Sequence, residues 1–194
     1  MESSGHFGFT AVITYILVWV ARSAGIVIGW WDGAALILGA AFLASLPDID
    51  LRLRRVGVRH RGFTHTVWFA ALLSAGTYLG LDYLCREGVK PPISPMTASV
   101  TVALAVMTHI LADAMNYQRV RPLAPLSSAG VALKLFRSSS GLANAGFFLV
   151  GAGSVTAYFY GLPDEGDTAA AAAAGLVLVT ALAALADRLA RRRG

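Results

Sequence analysis

Long apolar runs alternate along this chain with short polar stretches that hold most of its charge. The runs are 7–31, interrupted by Arg22, a shorter 34–46, and then 67–84, 97–115, 142–160 and 168–185. The last four are long enough for transmembrane helices, which need roughly 17–25 residues. We therefore predict an all-α, polytopic membrane bundle of about six segments, the second one short.

The boundary between the first two segments is the least defined part of this pattern. Asp32-Gly33 predicts a turn there, and Pro47 is expected to end the second segment. Run 34–46 is too short to span a bilayer alone. It could begin within Trp30-Trp31, tilt, or be partly re-entrant.

Composition supports a membrane protein. Apolar residue types make up 56% of the 194 residues and charged types 14%, against about 45–50% and about 25% in an average soluble domain. Intrinsic disorder is excluded by the hydrophobicity, and a disulfide scaffold by the single cysteine, Cys85. We predict one integral membrane domain over 1–194, with a His/Asp motif core in 1–125 and a C-terminal helical pair in 142–190.

The net charge of +5 is explained by topology. Of the 16 basic residues, five lie in 51–66, four in 116–141 and four in 186–194. Six segments place these regions and the N-terminus on one side, so the positive-inside rule predicts cytoplasmic N- and C-termini in an inner membrane. These loops lack interleaved aromatic residues that would stack on bases, so the bilayer is the expected partner and no nucleic acid is required.

Ionisable residues cluster at the segment ends on the predicted cytoplasmic face, where such residues are costly and usually functional. They include all four histidines: His6, Asp48, Asp50, His60, His65, His109 and Asp113. Imidazole and carboxylate together suit Zn²⁺ or another first-row cation, and seven candidates would suit two or more ions. The alternatives are a buried hydrogen-bonded His–Asp pair, solvated turn aspartates and surface histidines.

The spacing of these residues along the chain favours their convergence at one site. His109 and Asp113, four residues apart, share one helix face. An extended Asp48-Ile49-Asp50 would point both carboxylates to one side. In 60–65, Gly62 permits a tight turn and Thr64 is a plausible N-cap for a helix that starts near His65.

Four of these motifs, in order, resemble a known family. The elements are Gly5-His6, Leu46-Pro47-Asp48-Ile49-Asp50, His60-Arg61-Gly62-Phe63-Thr64-His65 and His109-Ile110-Leu111-Ala112-Asp113, followed by the prolines Pro122 and Pro125. They are similar to bacterial and archaeal inner-membrane proteins described as predicted membrane-bound metal-dependent hydrolases, some of them regulated by DNA damage. The resemblance covers roughly residues 1–130.

That family is in turn distantly similar to zinc-dependent phospholipases C and single-strand nucleases. The resemblance implies the ligands His6, Asp48 or Asp50, His60 or His65, His109 and Asp113. Because no further histidine follows Asp113, it implies one or two divalent ions, with Zn²⁺ expected and Mn²⁺ or Mg²⁺ as alternatives.

We therefore expect a hydrolase that cleaves a phosphoester, of phospholipid or nucleotide type, at the cytoplasmic face. Asp50 or His65 would be the general base. Phosphate would be held by arginines that could equally be membrane anchors: Arg59, Arg61, Arg119 and Arg121. Asn116 would contact a ligand or simply end its helix. The rival hypotheses are a non-enzymatic protein with a structural metal site and a transporter.

Overall fold

The computed structural model describes residues 1–53, 61–161 and 165–192. Its helices are α1 (Ser3–Ser23), α2 (Trp30–Ala34), α3 (Ala40–Leu43), α4 (Ile49–Leu53), α5 (Val67–Arg86), α6 (Pro95–Ala114), α7 (Gly141–Tyr160) and α8 (Glu165–Arg192). A π-helical turn, Ala35–Gly39, joins α2 to α3, and 3-10 turns cover Leu46–Asp48 and Phe63–His65. The predicted all-α class is confirmed.

Within the part of the chain that the structure describes, six stretches of helix are long and apolar enough to cross a membrane. They are Ser3–Ser23, Trp30–Leu51, Val67–Arg86, Pro95–Ala114, Gly141–Tyr160 and Gly166–Arg192. The second is built from several short helical pieces. It begins at Trp30, which agrees with one of the alternatives given for the short apolar run. Its apolar core is short, but flanking residues extend the helical path to 22 residues.

The predicted turn at Asp32-Gly33 is wrong. α1 ends at Ser23, and the chain turns at Gly25, whose φ of 84° suits glycine. Asp32 instead lies in the first turn of α2, where a carboxylate is favoured near a helix N-terminus. It also accepts a hydrogen bond from Thr97 Oγ1 at 2.6 Å, which ties the second segment to α6.

Pro47 does not end the second segment. It lies in the 3-10 turn Leu46–Asp48, at the start of a helical turn, where its missing N–H is not needed. The path then continues into α4. The expected extended Asp48-Ile49-Asp50 is therefore wrong, and its two carboxylates take different directions.

α1 is the central helix of the bundle and packs closely on α7. A Cβ on Gly8 would overlap the Phe147 carbonyl, and a Cβ on Gly151 would lie 2.5 Å from the Gly8 Cα. Small residues allow this approach, as is common between membrane helices. On its other side α1 is joined to α6 by a buried hydrogen bond of 2.8 Å between the hydroxyls of Thr10 and Thr108.

The start of α1, the start of α5 and the end of α6 meet at one end of the bundle. The end of α8 joins them there, because Tyr117 donates a hydrogen bond of 2.9 Å to Asp187. Burial, and then this hydrogen bond, raise the pKa of the Tyr117 phenol, so it remains a donor. The other end carries the Arg22 to Tyr158 hydrogen bond and the Asp32 to Thr97 bond.

Candidate metal centre

Five of the predicted ligands come together at the end of the bundle where α1 begins. His6 lies in the first turn of α1, Asp48 and His65 lie in 3-10 turns, and His109 and Asp113 lie on the last turns of α6. Their ligand atoms form two overlapping triads, each with its atoms within 4.8 Å: His6, His109, Asp113 and Asp48, His65, His109. The predicted sharing of one helix face by His109 and Asp113 agrees with this geometry.

The tautomer of His109 is fixed by the backbone. Its Nδ1 lies 2.7 Å from the carbonyl oxygen of Ala44. A carbonyl oxygen only accepts hydrogen bonds, so Nδ1 carries the proton. In the neutral imidazole the lone pair of His109 is therefore on Nε2.

The tautomer of His65 follows by the same reasoning. Its Nδ1 faces Asp50 Oδ2 at 3.3 Å and Thr64 Oγ1 at 3.0 Å. Thr64 donates its hydroxyl hydrogen to Asp50 Oδ2 at 2.9 Å, so it accepts from His65. Nδ1 thus carries a proton, and in the neutral imidazole the lone pair of His65 is also on Nε2.

These two lone pairs point at the same place. The Nε2 atoms of His65 and His109 are 3.1 Å apart. Asp48 Oδ1 lies 3.7 Å and 3.6 Å from them, and Asp113 Oδ2 lies 3.7 Å and 3.9 Å from them. Ligand atoms around one tetrahedral Zn²⁺ are about 3.3–3.6 Å apart, given bonds of roughly 2.0–2.2 Å. The donor types and the spacing therefore fit one divalent cation.

His109 limits how many ions the cluster could hold. One of its nitrogens is committed to Ala44, so only Nε2 can bind metal. Both triads include His109, and a neutral imidazole nitrogen binds a single ion. The arrangement therefore favours one ion at Asp48, His65 and His109 with Asp113 beside it.

Asp50 lies behind His65 and outside both triads. It is completely buried and accepts hydrogen bonds from the Arg61 backbone N–H at 2.8 Å and from Thr64. In this position it orients the imidazole of His65, a candidate ligand. The predicted N-cap role of Thr64 is wrong, because the helix begins later: Thr66 caps α5 by accepting from the Phe69 N–H at 3.2 Å.

Asp113 is surrounded by donors. Arg61 Nη2 lies 2.8 Å from its Oδ2, while the amino group of Met1, His6 Nε2 and Asn116 Nδ2 lie 3.2, 3.5 and 3.2 Å from its Oδ1. Asn116 is fully buried and contacts a candidate ligand, so it does more than end α6. His6 also stacks on His109, with ring centroids 4.0 Å apart.

An arginine-lined cavity of about 710 Å³ adjoins this cluster. Arg61, Arg119 and Arg121 line it together with Gly62, Phe63 and Gln118. Arg61 is mostly buried, and its Nε and Nη1 have no hydrogen-bond partner among the described residues. Three of the four predicted phosphate-binding arginines thus border one space. Arg59 and the candidate ligand His60 lie outside the described residues.

Two features of the site could not be predicted from the sequence. The Ala44 carbonyl that orients His109 is a backbone atom. Asn144 on α7 accepts a hydrogen bond of 3.1 Å from the Glu2 N–H and so holds the start of α1, which carries His6. Nothing in the spacing of Asn144 predicts a contact more than a hundred residues away.

Comparison with known proteins decides the family. A family model described as YdjM inner membrane protein matches residues 1–190. The chain belongs to this family. No curated protein and no solved structure gives a match.

The YdjM match is longer than the resemblance seen in the sequence, which covered roughly residues 1–130. It includes α7 and most of α8, which carry no His/Asp motif. With its six membrane-capable helices, this YdjM-family protein is a polytopic inner-membrane protein that contacts the lipid bilayer.

Proposed function

We propose that this protein is a metal-dependent phosphoester hydrolase. The observation that carries the proposal is the convergence of two imidazole lone pairs, 3.1 Å apart, in a buried site beside two carboxylates. Two such lone pairs repel each other unless a proton or a metal cation lies between them. Asp48, His65, His109 and Asp113 would hold that ion, with Zn²⁺ the expected metal and Mn²⁺ or Mg²⁺ the alternatives.

The arginine cavity supports phosphate as the group acted on. Guanidinium groups bind phosphate oxygens in a bidentate manner. The Arg61 side chain reaches from Asp113 to this cavity, so it can position a phosphoryl group beside the ligand cluster. Arg119 and Arg121 are exposed at the same cavity and add positive charge.

The chemistry requires a proton acceptor. A bound divalent metal would lower the pKa of a coordinated water to about 7 and polarise a phosphoryl oxygen. In this proposal His65 binds the metal and Asp50 accepts hydrogen bonds from the Arg61 N–H and Thr64, so His6 takes the water proton. The water oxygen joins phosphorus, the P–O ester bond breaks, and the leaving alcohol oxygen receives the proton from His6.

The pairing of His6 supports this role. Its Nε2 faces Asp113 Oδ1 at 3.5 Å, and its Nδ1 has no hydrogen-bond partner within residues 1–53, 61–161 and 165–192. Asp113 accepts a hydrogen bond from the Nε2–H, which leaves the Nδ1 lone pair to take the proton. We place the site and both termini on the cytoplasmic side, because the basic loops adjoin the same end of the bundle.

The transporter alternative receives less support. Between the two ends of the bundle, the described buried polar groups include Thr10, Thr14 and Thr108, whose hydroxyls bond to each other or to backbone carbonyls. Such pairs satisfy polar groups within helices. They do not form an ion path.

The test is the metal content and activity of the purified full-length protein. We expect about one divalent ion per chain by elemental mass spectrometry, and loss of both the ion and the hydrolysis of bis(p-nitrophenyl) phosphate in His109→Ala and Asp113→Ala. Asp82→Asn, at an exposed i,i+4 pair with Arg86 on α5, is the control. Wild-type protein without stoichiometric metal would refute the proposal. Bound metal without hydrolysis of phosphate esters would assign the site a structural role.

A further inference from the structure

A mostly apolar cleft of about 660 Å³ runs along the outside of the bundle between α1, the second segment and α7. Its lining includes Phe7, Phe42, Phe148, Ala152, Val155 and Thr156. Phe42 is 73% exposed and Phe148 42% exposed. Because these residues lie on membrane-capable helices, the cleft opens towards lipid.

The dimensions of the cleft suit a lipid chain. Phe148 and Thr156 lie eight residues apart on α7, which is about 12 Å along a helix. Half of the hydrocarbon core of a bilayer is about 15 Å. Since α1 and α7 both begin at the metal-site end, the cleft descends from that end towards the middle of the bundle.

A neighbouring space lies between this cleft and the Asp48 side of the candidate metal centre. This space of about 400 Å³ shares Ser3, Phe42 and Ser45 with the cleft and is also lined by Asp48. Asp48 is the most exposed of the five clustered residues, with 24% of its side chain accessible. The cluster therefore has an apolar approach on the Asp48 side and the arginine cavity on the Arg61 side.

The apolar cleft, the candidate metal centre and the arginine-lined cavity follow one another in this order. The order corresponds to the apolar chain, the phosphate and the polar head group of one lipid molecule. We infer that the substrate is a membrane phospholipid that enters sideways from the bilayer, with an acyl chain in the cleft and its phosphate at the metal centre. The polar head group then occupies the cavity lined by Arg61, Arg119 and Arg121. This inference rests on the proposed hydrolase function. A nucleotide would make no use of the cleft.

The experiment compares two substrates that differ only in chain length. Purified full-length protein loaded with Zn²⁺ is assayed on dipalmitoyl phosphatidylglycerol in mixed micelles and on its dihexanoyl analogue free in solution. The variant Ala152→Trp fills the cleft, and Ala75→Trp on the exposed face of α5 is the matched control. We expect Ala152→Trp to lower kcat/KM about tenfold or more for the long-chain lipid and less than twofold for the short one.

Other outcomes separate this inference from the proposed function. If Ala152→Trp lowers hydrolysis of both lipids equally, or of neither, the cleft does not bind the chain, while the hydrolase proposal stands. The same conclusion follows if the variant converts a dimer into a monomer, because the cleft would then be an interface between copies. Thr156→Phe, at the exposed rim, repeats the test should Ala152→Trp fail to give a monodisperse protein.

A binding measurement does not depend on catalysis. Phosphatidylglycerol with a mid-chain diazirine is photo-crosslinked to the protein in nanodiscs of phosphatidylcholine, and the labelled peptides are identified by mass spectrometry. Labelling at Phe42 and Phe148 should fall at least fivefold in Ala152→Trp and stay unchanged in Ala75→Trp. Equal labelling in all three proteins would overturn the lipid inference, even if the protein proved inactive.

Discussion

Asp50 provides the sharpest test of how the centre is organised. It is completely buried and accepts hydrogen bonds from the Arg61 backbone and Thr64, and its Oδ2 faces His65 Nδ1. The sequence alone left open whether it is a ligand, a base or neither. We expect that Asp50→Asn weakens Zn²⁺ binding without abolishing it.

The size of the effect follows from the position of Asp50 behind a ligand. Carboxylates that orient metal-bound imidazoles typically contribute 10- to 100-fold in affinity. This corresponds to about 1.4–2.8 kcal/mol. A directly coordinating carboxylate contributes more, so Asp48→Asn should lower affinity further than Asp50→Asn does.

The assay is competition for Zn²⁺ against a chromophoric chelator, with the protein in detergent. Asp82→Asn removes a partly exposed carboxylate at the other end of α5 and should leave Kd unchanged. Helical content and thermal unfolding of the metal-free proteins check that each variant folds. An unchanged Kd in folded Asp50→Asn would refute the orienting role, and complete loss of binding would make Asp50 a ligand.

Three further results are expected. Gly8→Ala should destabilise the protein by about 1–3 kcal/mol in thermal or denaturant unfolding, because the added Cβ meets the backbone of α7, whereas Gly153→Ala, with open space around it, should be neutral. Arg61→Gln should leave Zn²⁺ affinity equal or higher, because Asp113 loses a competing cation, but should lower kcat/KM for phosphate esters; a parallel loss of both would contradict the phosphate role. Cys85, at the far end of α5 from the site, should react with a membrane-impermeant maleimide added to intact cells, and labelling only after permeabilisation would reverse the proposed orientation.

Periodicity and length predicted the bundle well because a membrane imposes strong rules on sequence. Every backbone polar group in lipid must be paired within a helix, so an apolar run of sufficient length has few alternatives. The predictions that were wrong concern the ends of the segments. Asp32-Gly33 resembles a turn locally, but Thr97 and Tyr158 on other helices hold this stretch in helical form.

The residues of the candidate site could be predicted from the sequence, but their arrangement in space could not. The scarcity of ionisable residues in apolar surroundings singled out His6, His109 and Asp113. Whether Asp48 or Asp50 faces the cluster depends on the 3-10 turn at Pro47, a residue that the apolar pattern alone predicts to end the helix. A helical path separates the two side chains, so one joins the ligands and the other supports His65.

The position of His6 explains why a site built from motifs in the first part of the chain depends on the last part. His6 lies near the start of α1, where a free helix end would fray. Asn144 of α7 accepts the Glu2 N–H, and the Gly8–Gly151 contact fixes the depth of α1 against the same helix. α7 in turn packs on α8, where Val179 meets Gly146. Placement of the His6 imidazole 3.5 Å from Asp113 therefore depends on helices that carry no candidate ligand. The family match includes α7 and most of α8, because it extends through residue 190.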